Sequence, residues 1–204
     1  MRKSNKEAAH TREAIVATAA DHIRRTGLAG TSLADVMSAA GLTHGGFYKH
    51  FRDKEQLVAE ALAAAGEKVI DAVGRNVTNG GLDAAIDTYL SAAHRDAETP
   101  LCPFAALGSE MGRSGEETRT AAASVLNRLL TLLMTGPDND DARGDAIVAL
   151  STMVGAMTLA RVTPDKALST EILDRTRQHL RKHPPDNHRP AIAAARSPAI
   201  QSGP

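Results

Sequence analysis

Thr43-His-Gly-Gly-Phe-Tyr-Lys-His-Phe-Arg-Asp-Lys54 is the stretch that decides the fold. The chain has two Tyr, three Phe and no Trp, and three of those five rings fall at positions 47, 48 and 51. A spacing of four puts Phe47 and Phe51 on one face of a helix. Tyr48 and Lys49 then point away from that face, among His44, His50, Arg52 and Lys54. A short helix with an apolar back and a phenol-plus-cation front suits an anionic partner, and duplex DNA is the obvious one.

Upstream, Ser4 and Glu7 have the spacing of a capping box, and Ile15, Ala19 and Ile23 recur along one helical face until Gly27. Thr31-Ser32 caps a second helix whose buried face is Leu33, Val36 and Met37, closed by Ala39-Ala40-Gly41. Thr43 caps the aromatic helix. Asp53 and Gln56 open a long helix predicted over 54–76. A support helix followed by two short helices across a glycine turn is a helix-turn-helix. A plain three-helix bundle shares the spacing, but it would not place scarce aromatics in the open.

Residues 11–57 resemble the DNA-binding head of the TetR/AcrR family of bacterial regulators. The resemblance is carried by Thr11, Ile15, Ala19, Gly27, Thr31, Ser32, Ala40, Gly41, Tyr48, His50, Phe51, Lys54 and Leu57. Ile23, Leu42 and Thr43 depart from the family's usual Phe, Val and Ser. The resemblance implies an all-α protein with a three-helix head over 1–53 and a helical ligand-binding and dimerisation domain over 54–183. The Pro-, Ala- and Ser-rich segment 184–204 reads as a disordered tail.

Composition agrees with that class. Hydrophobic residues make up 42% of 204 and Ala is abundant, which favours helices. No run of 18 uninterrupted apolar residues and no apolar leader is visible, so a cytoplasmic protein without a membrane span is expected. A single cysteine excludes an internal disulfide. Net charge is zero, but residues 1–55 hold nine Lys/Arg against six Asp/Glu, and the rest holds fifteen against eighteen. A mildly basic head on a mildly acidic body is compatible with DNA binding by the head.

In the head, His44 and Lys49 are the expected base readers, Lys49 donating to guanine O6 and N7. Thr43 is expected to cap its own helix and reach a phosphate. Gly45 and Gly46 let the backbone approach the duplex. By resemblance, Tyr48, His50 and Lys54 are phosphate clamps, joined by Thr31 and Ser32. Phe47 and Phe51 belong to the core. Arg2, Lys3 and Lys6 either follow the DNA or form a solvated arm.

Beyond the Gly80-Gly81 break, helices are predicted over 82–97, 104–112, 116–134, 142–162 and 165–183, with a polar loop at 137–141. An effector pocket is expected around Tyr89, Cys102, Phe104, Leu107, Glu110, Met111 and Leu126, apolar and poor in rings, with Glu110 its one acidic candidate. Ile147, Leu150, Val154, Met157 and Arg161, with Leu168, Ile172, Thr176 and Leu180, are the expected homodimer faces. The same faces could pack inside one subunit. Cys102 is either a sensor thiol or simply buried. His179 and His183 lack a third metal ligand, and Asp138, Asp140 and Asp141 fail the EF-hand spacing, so no metal or cofactor is expected.

The function this implies is a ligand-responsive transcriptional repressor that binds DNA as a homodimer and takes a small-molecule effector. A ligand-independent DNA-bound structural or division factor of the same fold is the alternative. No Ser-His-Asp set or phosphate loop stands out, so an enzyme is not expected.

Overall fold

The protein is described here by a computed structural model covering residues 5–134 and 140–182. Ser4, Arg2, Lys3, the loop residues 135–139, His183 and the segment 184–204 lie outside the described residues, and with them the capping box, the arm and the tail. The described residues form helices α1 (Asn5–Thr26), α2 (Leu33–Ala39), a 3-10 helix (His44–Lys49), α3 (Lys54–Tyr89), α4 (Ala92–Arg95), α5 (Pro103–Met111), α6 (Glu116–Leu133), α7 (Asp140–Val162) and α8 (Lys166–Lys182).

Two hydrophobic cores organise these elements. In the head, Ile15, Ala19 and Ile23 of α1 meet Val36 and Met37 of α2 and the rings of Phe47 and Phe51. The two rings stack, with centroids 5.5 Å apart and planes 24° from parallel. Each such ring contributes about 1.5–3 kcal/mol by leaving water. The floor of this core is the first half of α3, from Leu57 to Ala65. The second core begins at Val69 on the same helix and gathers Leu129, Leu130 and Leu133 of α6, the inner face of α7, and Leu173 and Leu180 of α8.

Helix α3 therefore serves both cores, and its length exceeds the predicted 54–76. Its geometry breaks at Gly80 and Gly81, where Gly81 takes a positive φ of 69° that favours glycine. The predicted helix 82–97 is shorter too. It ends at Tyr89 with Leu90 as C-cap, and Ser91 caps the single turn of α4 by accepting from the His94 amide at 3.1 Å.

One predicted feature is out of phase. Leu150, Met157 and Leu180, expected at a dimer interface, are buried in the body core. Val154 and Ile172 are partly buried against it, and only Ile147 and Leu168 of the aliphatic set are open. The exposed apolar residues of α7 are Ile147, Val148 (62%), Leu159 and Val162 (74%). Helix α7 is apolar on both sides, so periodicity alone did not say which side meets the core. The same two-sidedness makes 141–162 long and apolar enough to match the composition of a membrane span, although 39% of that window is buried inside the fold.

His94 is buried, and its Nδ1 pairs with the Tyr89 carbonyl at 2.7 Å. Burial pushes its pKa below the usual histidine value, partly opposed by that hydrogen bond and reinforced by the nearby Arg161 charge. An unfolded chain then takes up this proton before the folded one does. Stability from this group is present above the ordinary histidine pKa of about 6.5 and declines as pH falls through it. Denaturant melts at pH 7.5 and 5.5 are expected to show a loss that shrinks in His94→Gln; an equal loss in both proteins would remove His94 as its source.

A second prediction concerns Gly66, between the two cores on α3. A Cβ there would press on the whole isopropyl group of Val125 on α6, with Cγ1 at 2.8 Å and Cβ at 3.1 Å. Helix propensity alone favours Ala over Gly by about 1 kcal/mol. Overpacking opposes it by about 1–3 kcal/mol. Gly66→Ala is expected to lower stability in denaturant melts, and a stabilised variant would show that α3 and α6 have room to separate.

Candidate nucleic-acid interface

The turn 44–49 is a 3-10 helix and not the α-helix expected from the sequence. Gly46 N–H donates to Thr43 O at 3.0 Å and His50 N–H to Phe47 O at 2.9 Å. Two glycines in six residues weaken α-helix formation, and the segment is too short for propagation to compensate. Thr43 occupies the N-cap position but its side chain makes no capping bond. The expected self-capping role is therefore absent, and its exposed hydroxyl is open.

The rest of the turn is divided by burial. Phe47 is fully buried, whereas Tyr48 is 68% exposed and stands edge-on to it, centroids 5.1 Å apart. His44 and Lys49 are exposed on the same turn. Among the described residues neither side chain forms a hydrogen bond or ion pair. His50 is half-buried, and its carbonyl accepts from Arg12 Nε at 3.2 Å. A Cβ at Gly45 would meet nothing within 4 Å, and one at Gly46 only ordinary contacts with Met37 and Thr43. Neither glycine has positive φ. The protein's own packing therefore does not require glycine at 45.

Three other predicted contacts are placed differently. Thr31 is 3% exposed, and its hydroxyl donates to Gly27 O at 2.6 Å and pairs with Thr26. It holds the turn after α1, and its hydroxyl hydrogen is already given to Gly27 O. Ser32 is exposed but caps α2, donating to the Asp35 carboxylate at 2.6 Å and accepting from its amide. Lys54 Nζ donates to Thr31 O at 2.6 Å and more weakly to Leu28 O at 3.4 Å. Of its three ammonium hydrogens, one remains for an outside group.

Arg12 is the residue that sequence reading missed. Its guanidinium pairs with both oxygens of Glu60 and lies 4.6 Å over the Phe51 ring. Together with its bond to His50 O, this ties α1, the recognition turn and α3 together. Its partner lies 48 residues away, and no local spacing pointed to it.

A profile of the bacterial regulatory proteins of the tetR family matches residues 15–61. An uncharacterized HTH-type transcriptional regulator of Mycobacterium tuberculosis, Rv0196, is 35% identical over 168 residues, covering 76% of this chain and 86% of its own length. The chain belongs to the TetR family. It is a DNA-binding transcriptional regulator with an N-terminal helix-turn-helix and a C-terminal helical domain. The match to AcrR of Shigella flexneri, 41% over 59 residues, covers 29% of this chain and 27% of that protein. A TetR regulator from Chloroflexus aurantiacus superimposes with a TM-score of 0.71 at 29% identity over 87% of this chain and 96% of its own. Reduced NemR of Escherichia coli does so at 0.70 and 20% identity, over 85% and 96%, a likeness of fold.

The residues expected to line one effector pocket are scattered over three places. Tyr89 and Cys102 line a narrow gap of about 10 Å³ inside the body, scarcely room for one water. Phe104 and Leu126 line a separate open groove between α5, α6 and α7. Leu107 and Met111 are buried in the head core. Glu110 accepts the Ala29 amide at 2.9 Å and also stands where a Gly27 Cβ would go, at 2.8 Å. Helix α5 points its C-terminal half at the head, so these three residues are structural couplers and line neither space. Burial pushes the Cys102 thiol up, against the direction of a reactive thiolate.

Thr31→Val keeps the shape and removes the buried hydroxyl. It is expected to cost about 1–3 kcal/mol, because Gly27 O loses its partner. DNA affinity of the folded fraction should be unchanged; a selective loss of DNA binding with full stability would return Thr31 to the interface.

Proposed function

We propose that this TetR-family regulator binds a palindromic operator as a homodimer and is released when a small, mainly apolar molecule enters the body. In this reading it is a repressor. One observation carries the ligand-responsive part: α5 touches both the interior of the body and the head. Cys102, at its N-cap position, lines the narrow gap there, whereas Leu107, Glu110 and Met111 contact the head. Arg24 runs in the opposite direction. It is buried on α1 and donates to the Pro100 and Leu101 carbonyls at 2.9 and 3.4 Å, next to Cys102. A ligand that displaces 100–102 acts on α1 and on the turn at Ala29 through packed groups. It shifts the equilibrium only by as much as it binds the two states differently.

On the DNA side, His44 and Lys49 read bases, with Thr43, Tyr48, His50 and the remaining Lys54 hydrogen on phosphates. The open space at Gly45 is kept for the duplex. On the other side of the molecule Val148, Gly155, Leu159 and Val162 follow one another at helical spacing on α7, all exposed. Gly155 has open space where a Cβ would be. With Leu168 at the start of α8 they form the face that supports a four-helix interface with a second copy. The closeness with which side chains fill the body interior favours the alternative, a ligand-independent DNA-bound factor. A bound small molecule that changes operator affinity separates the two.

Selection from random duplexes followed by titration tests the interface. Gly45→Ala is expected to leave the melting temperature unchanged and to weaken operator binding at least tenfold. Lys49→Ala should relax base choice and, for each phosphate that the protein no longer neutralises, lower the log–log salt slope by about 0.9. Gly45→Ala with native affinity would move the DNA off this turn.

A further inference from the structure

The recognition turn is held at its start by backbone bonds and at its exit by side chains. Where it begins, the Leu42 amide donates to Met37 O at 2.8 Å and ties it to α2. Where it ends, residues 50–53 form no helix before α3 starts at Lys54. A short irregular link has many backbone conformations of similar energy, so something has to select one.

Two side-chain bonds reach that link from the flanking helices. Arg12 Nε on α1 donates to the His50 carbonyl at 3.2 Å. Gln56 Oε1 on α3 accepts the Arg52 amide N–H at 2.8 Å. Between the two bonds lies Phe51, 2% exposed, its ring stacked on Phe47 and 4.6 Å beneath the Arg12 guanidinium. One carbonyl, one amide and one ring of the link are thus fixed from α1 and α3.

Glu60 is the node of this bracket. Its carboxylate oxygens accept Arg12 Nη1 and Nη2, the latter at 2.6 Å. Its Oε1 also accepts Gln56 Nε2 at 3.1 Å. A carboxylate only accepts and a backbone N–H only donates, so these two partners leave the Gln56 amide one orientation. The forked pair likewise fixes the plane of the Arg12 guanidinium, which directs Nε at His50. Glu60 therefore acts on both ends of the link while touching neither. The same bonds draw Arg12 away from the duplex, because its charge is matched by Glu60 and three of its N–H groups are used within the protein.

We propose that Arg12, Gln56 and Glu60 are positioning residues for sequence readout. They set the exit of the 44–49 turn, and with it the register of His44 and Lys49 on base edges, and add nothing to the attraction for phosphate. The proposal rests on reading the 44–49 turn as the element that meets DNA. Base contacts need finer placement than phosphate contacts do, so loss of the bracket falls on the selected sequence and not on DNA in general.

The expected signs are opposed, which makes the test decisive. Glu60→Gln removes a negative charge from the head, and electrostatics alone then favours tighter binding to any duplex. Positioning requires weaker binding to the selected one. Titrations of the full chain compare the duplex that the parent selects from a random pool with an unrelated duplex, alongside thermal melts. Glu60→Gln and Arg12→Lys are expected to bind the selected duplex about tenfold less tightly, within what one base contact contributes. Both should bind the unrelated duplex at least as well as the parent does. Lysine keeps the charge but cannot hold both Glu60 oxygens and the His50 carbonyl in one plane. Arg12→Gln should leave the log–log salt slope unchanged, whereas loss of a phosphate contact would lower it by about 0.9. The double variant Arg12→Lys with Glu60→Gln should be no worse than either single one, because the three groups act as a unit. Several results overturn the proposal: unchanged or tighter binding of the selected duplex by Glu60→Gln, an equal loss on both duplexes with or without a lower melting temperature, a reduced salt slope in Arg12→Gln, or additive losses in the double variant. Gly45→Ala separates this failure from that of the interface reading. If it weakens the selected duplex while Glu60→Gln does not, the turn meets DNA without needing the bracket. If Gly45→Ala binds like the parent, the interface reading fails and the bracket's role in readout fails with it.

Discussion

Close packing of α3 against α6 is the constraint on which the remaining structure depends. Helix α3 supplies the floor of the head core through Ala65 and begins the body core at Val69. Gly66 lies between them with Val125 pressed onto its backbone. One rigid rod shared by two cores makes head and body mechanically continuous, because a packed core has discrete arrangements and little compliance. Salt links reinforce this axis from outside: Arg128 with Glu67 between α6 and α3, and Arg52 with Glu117 between the head and α6. Exposed pairs of this kind contribute little each. Packing, not charge, holds α3 in place.

Much of the head was legible in the sequence, because its signals are local. The Phe47 and Phe51 spacing, the glycine turns and the caps at Ser32 and Asp53 all lie within a few residues of what they determine. What remained hidden depends on distant partners. Nothing near Thr31 says that its hydroxyl turns inward, and nothing near Arg12 announces Glu60. The recognition turn departs from an α-helix for a local reason, two adjacent glycines, yet their effect on helix type is a balance of small terms.

The body was legible in its helix order and less so in its faces. An Ala-rich, ring-poor helix such as α7 carries small apolar residues all round. Leu150 and Val148 are equally good candidates for the interior until α6 and α8 are placed. The pocket suffered the same fate. Seven residues expected from three helices fell into a narrow gap, a groove and the head side, and the four on α5 are divided among them because that helix crosses between the two cores.

Four described cations of the head are paired within the protein. Arg12 answers Glu60, Arg24 and Lys68 answer Asp21, Arg52 answers Asp53 and Glu117, and Lys54 answers two carbonyls. The net charge of zero reflects a mildly basic head balanced by a mildly acidic body. These paired cations fix the geometry around the turn and are less available to attract the duplex without regard to sequence. Lys49, on the turn, has no such partner among the described residues, so a larger share of its interaction is available for base edges. A head arranged in this way gains less from the general phosphate field, and more of its discrimination has to come from how rigidly the 44–49 turn is presented. That rigidity comes from Phe47, Phe51 and Arg12, the residues that never face the DNA.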